Sequence, residues 1–170
     1  MITTDLSVLR KKNEDATLEE SRSIIKLLEL ELKNSKVPGV GLAAPQIGIN
    51  KKVAIIRIES SQEFLDLVNP KIIDKRNPYI SENEACLSLP DTKINTQRYK
   101  EIVVVDDLHP EGFVAVGFVA TVIEHEVDHL ESVLITDRAI GKYKVGRNDA
   151  CPCGRIENNK VVKFKNCHGR

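Results

Sequence analysis

Phe118 to Glu131 constrains the fold more than any other segment. It is periodic like a helix, yet it carries His125-Glu126-Val127-Asp128-His129 among apolar residues. Val119, Val122 and Ile123 lead into that motif, so the helix is expected to be buried with its histidines inside. Positions i and i+4 share a helix face, and His125 and His129 can therefore aim two imidazole nitrogens at one point. Two ordinary helix histidines flanking a Glu are the plain alternative. Burying an unpartnered imidazole pair is costly, however, whereas a metal ion satisfies both. Glu126 stands beside the first histidine, where its carboxylate can reach a metal-held water without being a ligand. These residues point to metal-assisted amide hydrolysis.

Two histidines leave such an ion short of a protein ligand. No further His follows at the spacing of the long metallopeptidase motifs. Cys86 is the candidate, in a stretch from Pro78 to Pro90 that reads as turn-rich, and it is flanked by Leu87 and Leu89. A lone Cys is more often a small core hydrophobe. Beside a His pair lacking a ligand, the metal role is the better reading.

Other segments supply the frame. Thr17-Leu18-Glu19-Glu20 has the form of a capping box, and Ile24, Ile25, Leu27, Leu28 and Leu32 recur at helical spacing, which predicts a helix from about Leu18 to Asn34. Gly39 to Gly48 is rich in small residues and should bring backbone close to something. Strands are expected at Lys52–Ile58, Leu65–Asn69 and Lys71–Ile73. A hairpin is expected from Glu101–Asp106 and Phe113–Gly117 around His109-Pro110-Glu111-Gly112. Strands first, with one buried helix carrying the chemistry, predict an α+β fold.

At 170 residues the chain suits one main domain with room for a small appendage. Aromatics make up 4%, so Ile, Leu, Val and Ala must fill the core. Formal net charge is zero, which argues against a dominant nucleic-acid or membrane surface. Residues 142–170 nevertheless hold eight basic and two acidic residues, a net +6, so residues 1–141, with 17 basic and 23 acidic, carry −6. No apolar run approaches a bilayer span and no signal segment opens the sequence, which makes the cytoplasm the expected compartment. There, close cysteines point to metal or catalysis before disulfides.

Three segments, taken in order, resemble the peptide deformylase family: Gly39-Val40-Gly41-Leu42-Ala43-Ala44-Pro45-Gln46, Glu84-Ala85-Cys86-Leu87-Ser88 and His125-Glu126-Val127-Asp128-His129-Leu130. Leu67-Val68-Asn69-Pro70 and Thr136-Asp137-Arg138 look like further family segments. The resemblance implies a catalytic domain over residues 1–141, with antiparallel sheets around the buried helix. It also implies removal of the N-formyl group from the initiator methionine of nascent polypeptides. Cys86, His125 and His129 would hold the metal, typically Fe²⁺ with Zn²⁺ or Ni²⁺ as substitutes, and hydroxide on the metal would attack the formyl carbon. Glu126 would act as base and then acid, and Gln46 and the Leu87 N–H would meet the oxyanion. Val40 and Gly41 would pair with the substrate as an added strand. The family usually has Gly where Ala85 stands, which raises the question of whether the turn there keeps an ordinary conformation. Arg98 falls where the family often has a basic residue near substrate, though a surface arginine reads almost as well.

Residues 142–148 look like a linker to 149–170, where Cys151, Cys153, Cys167 and His168 satisfy the arithmetic of a closed Cys₃His zinc site. Cys151-Pro152-Cys153-Gly154 and Cys167-His168 resemble the small zinc motif at the C-terminus of the SecA translocation ATPase (the SEC-C type), with a longer loop between the pairs. That resemblance and the basic balance imply docking to the ribosome or a partner protein. Two other classes compete with a deformylase. A general metallopeptidase would not need Cys86, and a deformylase-like body acting only as a binding protein should have lost Glu126, Gln46 or Cys86.

Overall fold

The computed structural model describes residues 1–58, 63–140, 156–157 and 160–166. Among these, α1 (Leu6–Leu9) and α2 (Leu18–Lys33) precede three short strands, β1 (Gly41–Ala43), β2 (Val53–Arg57) and β3 (Phe64–Val68). A long hairpin follows, β4 (Lys71–Cys86) and β5 (Leu89–Val105), then β6 (Phe113–Val116) and α3 (Gly117–Leu130). The two-residue strands β7 (Ile156–Glu157) and β8 (Lys160–Val161) pair with each other. No helix of the described residues is long and apolar enough to cross a membrane.

Both larger sheets are antiparallel, ordered β1-β2-β3 and β4-β5-β6. The capping box forms as its residues predict: Glu20 N–H donates to Thr17 Oγ1 and Thr17 N–H to Glu20 Oε2. The apolar stripe of α2, with Ile24, Leu28 and Leu32, packs on Leu42, Val53, Ile55 and Val68 of the first sheet. The other face of that sheet, with Ile56 and Leu67, packs with Ile102 and Val104 of β5 and Ala120 and Ile123 of α3. α3 therefore touches both sheets and is buried along most of its length. The α+β expectation holds, and so does the hairpin around His109–Gly112.

One expectation fails. Residues 78–90 are not a turn-rich loop but the end of β4, a two-residue turn at Leu87-Ser88, and the start of β5. Pro78 is tolerated because β4 is an edge strand, where a missing N–H breaks no ladder it must share with a further strand. Asn77, Asn83 and Asp91 do take positive φ, and the ladder shifts register between Ser81 and Glu84 and again between Ala85 and Cys86. Turn chemistry is thus used to bend a continuous hairpin. Ala85 is not among the residues with positive φ, so its Cβ meets no backbone penalty.

The linker 142–148 and all four C-terminal candidates, Cys151, Cys153, Cys167 and His168, lie outside the described residues.

Candidate active site

α3 brings its two histidines to the end of the β4–β5 hairpin. Cys86, His125 and His129 each offer a ligand atom, and these atoms lie within 4.8 Å of one another. Cys86 Sγ stands 3.2 Å from His129 Nε2. His125 Nδ1 is 2.7 Å from Glu84 Oε1, an acceptor that fixes the proton on Nδ1 and leaves Nε2 bare for a metal. Burial works against charge on His125, yet Cys86 and Glu84 beside it hold its pKa well above the ordinary value. Burial and the neighbouring His125 hold His129 well below it. One thiol and two imidazoles form a donor set that fits a divalent cation.

Glu126 projects from the same helix, 3% exposed, and its Oε2 has no hydrogen-bond partner. Burial raises its carboxyl to about 7, against the pull of His125. Gly41 makes room for it: a Cβ there would sit 2.5 Å from Glu126 Oε1 and 2.9 Å from Val122 Cγ1. Gly41 is thus explained by close approach to one carboxylate.

Gln46 lies in a 3-10 turn (Ala44–Ile47) and is 1% exposed. Its Oε1 accepts from Ala43 N–H at 2.8 Å, which commits the oxygen and turns Nε2 toward Ser88 Oγ at 3.2 Å and Cys86 Sγ at 3.8 Å. The donor end therefore faces the cluster. Leu87 forms the hairpin turn directly after Cys86, and its side chain packs near Gly39. A cleft of about 570 Å³ opens between β1 and the hairpin, lined by Val40, Gly41, Gln46, Cys86, Leu87, His125 and Glu126 among others. Every candidate of the main domain lines this cleft except His129, which lies behind it as part of the cluster. β1 is an edge strand of its sheet, so its outer side is available for pairing.

Sequence reasoning missed the supports. The sequence assigns Glu84 no role, and Arg98 reads from it as a residue near substrate or a surface arginine. Arg98 is 2% exposed, so it is no surface residue. It donates to Glu84 Oε1 at 2.6 Å and to Asp128 Oδ2 at 2.7 Å. Thr96 Oγ1 adds a hydrogen bond to Glu84 at 2.6 Å, and Arg138 donates to Asp128. Burial alone would raise Glu84, but the bonds from His125 and Arg98 outweigh it and hold the carboxyl well below the usual range. The chain Asp128–Arg98–Glu84–His125 thus orients one imidazole through buried charges.

The polypeptide deformylase family model matches residues 1–145. A peptide deformylase of Symbiobacterium thermophilum is 36% identical over 136 residues, which are 77% of this chain and 62% of that protein. One of Prochlorococcus marinus strain AS9601 is 38% identical over 142 residues, 79% and 70% of the two chains. The crystal structure of a probable peptide deformylase from Synechococcus phage S-SSM7 superposes with a TM-score of 0.72 at 32% identity, covering 81% of this chain and 98% of that one.

Proposed function

This chain belongs to the family of polypeptide deformylase enzymes, and from that premise we propose that it removes the N-formyl group from the initiator methionine of nascent polypeptides. One observation carries the reading: the Cys86/His125/His129 cluster borders the cleft lined by Glu126, whose Oε2 is unpartnered, and by Gln46, whose donor end faces the cluster. Cys86, His125 and His129 would hold a divalent metal, Fe²⁺ by family habit, with Zn²⁺ or Ni²⁺ able to replace it, and such an ion would supply Lewis-acid activation of the carbonyl and of water.

The chain's own groups do the rest. Glu126 accepts a proton from attacking water at Oε2 and returns it to the departing amine nitrogen, the base and then the acid of one cycle. Gln46 Nε2 and the Leu87 backbone N–H donate to the formyl oxygen as negative charge builds on it. Gly41, in the edge strand β1, and Val40 just before it pair with the substrate backbone. Walls rich in apolar side chains limit water around the reacting carbon. Formate release from a formyl-methionyl peptide by Fe²⁺- or Ni²⁺-loaded protein tests the reading. No formate under anaerobic loading would move the binding-protein alternative to first place. Loss of metal and activity in Cys86→Ala would set the site apart from a metallopeptidase that needs no thiol.

For residues 142–170 the support is sequence alone. Residues 149–170 take one structural Zn²⁺ on Cys151, Cys153, Cys167 and His168 and dock on the ribosome or a partner protein, with 142–148 as linker and 1–141 as catalytic domain. The compartment is the cytoplasm, where formylated nascent chains emerge. Cosedimentation with ribosomes should depend on residues 147–170, and equal binding with and without them would rule docking out.

A further inference from the structure

The carbonyls at the end of a helix have no partner within it, and at the end of α3 two of them belong to His129 and Leu130. Asn13, far earlier in the chain and 4% exposed, reaches both: Nδ2 donates to His129 O at 3.1 Å and to Leu130 O at 2.9 Å. Two carbonyls can only accept, so the amide nitrogen must face them, and its two hydrogens are both engaged. The other end of the same carboxamide, Oδ1, accepts from Asn50 Nδ2 at 3.3 Å. Asn50 lies in the loop just after the turn that carries Gln46, and its carbonyl accepts from Glu14 N–H at 3.1 Å. Ten residues before Asn13, Thr3 N–H donates to Gln46 O at 2.8 Å. The segment from residue 3 to residue 14 therefore grips the backbone of one cluster residue and the backbone of the oxyanion donor at once.

We infer that Asn13 is a positioning residue: its carboxamide fixes the end of α3, and with it the His129 imidazole, relative to the Gln46 segment. The inference rests on the reading of His129 as a metal-holding residue. Fixing the carbonyl of His129 fixes its Cα–Cβ direction, and from there one side chain reaches the cluster. His129 O also accepts from Ser132 N–H at 3.1 Å, so Asn13 adds to that bond the side-chain link that ties both carbonyls to the N-terminal segment.

The test compares the full-length protein with Asn13→Ala and Asn13→Asp. Asp keeps the shape but turns an acceptor toward two acceptors. Three readouts are taken: metal affinity by chelator competition, the visible spectrum of the Co²⁺-loaded site, and kcat and KM for a formyl-methionyl peptide. Asn13→Ala is expected to lower metal affinity and kcat by roughly tenfold, the low end for residues that orient metal ligands, with KM within about twofold and a shifted Co²⁺ spectrum. Asn13→Asp should move all three further in the same direction. Unchanged affinity, spectrum and kcat with only a lower melting temperature would overturn the inference, leaving Asn13 a structural cap. Should neither variant fold, Asn50→Ala removes only the bond to Asn13 Oδ1. A smaller shift of the same sign supports positioning, and an unchanged site overturns it. A parent protein that releases no formate defeats the deformylase reading, while affinity and spectrum still decide the role of Asn13.

Discussion

Helices α2 and α3 have similar lengths, 16 and 14 residues, and opposite surroundings. α2 follows local rules throughout. A capping box starts it, one apolar stripe meets a sheet, and its outer face carries charges such as Glu29 and Lys33. α3 has no side-chain cap at its start and is covered on nearly all sides, and Glu124, Glu126, Asp128 and His129 are buried within it. A helix this rich in buried ionisable groups is held by what they bond to. Arg98, Glu84, Lys75 and the Tyr99 N–H come from the hairpin, and Asn13 from the N-terminal segment. The contrast teaches that α2 spends its sequence on stability and α3 on placing reactive atoms.

Substitutions can break or sharpen that contrast, and the largest effect is expected at Glu126. Glu126→Ala should keep its metal and lose about 10²–10⁴ in kcat, read by formate release beside metal counting. A variant that lost its metal instead would make Glu126 a holder of the site. Next comes Arg98→Met. Removing the guanidinium breaks the buried pairs with Glu84 and Asp128, leaving Glu84 to His125 and Thr96 and Asp128 to Arg138, at a cost of about 3 kcal/mol in denaturant unfolding. A cost near zero would mean that water replaces the ion pairs and that α3 is less dependent on charge than its bonding suggests. In α2, Leu28→Ala should cost about 2–5 kcal/mol, because Leu28 is fully buried, while kcat per folded molecule stays unchanged. A fall in kcat there would show that the first sheet transmits strain to the cleft. The smallest effect is expected for Lys33→Ala, which breaks the exposed pair with Glu29 and should cost about 0.3–0.5 kcal/mol.

Legibility followed the same division. The span of α2 was readable to within a residue, because periodicity, capping box and stop signal are all local. Cys86, His125, His129, Glu126, Gln46, Val40, Gly41 and Leu87 were readable as one site only because three motifs in family order stand behind them. All of them but His129, which lies behind it, line one cleft. The continuation of β4 and β5 through residues 78–90 was not readable, because Pro78, Asn83 and Asp91 carry turn chemistry that the long hairpin absorbs as bends. The burial of Arg98 was not readable for a related reason. A charged residue in a strand looks like surface until its two carboxylate partners are known, and they lie 14 and 30 residues away.

The amino-acid order alone determined the composition of the site: two imidazoles four residues apart, a carboxylate beside them, and a thiol and an amide in separate motifs. Helical repeat and residue chemistry are local properties and survive any change of partner. Only the tertiary structure decided which atoms of those residues are free to react. Glu84 claims His125 Nδ1, Ala43 claims Gln46 Oε1, and Glu126 Oε2 is left without a donor. Each outcome depends on groups distant in sequence, or on a backbone path set by packing, competing for hydrogen bonds where water is scarce, and that competition exists only once the layers have closed.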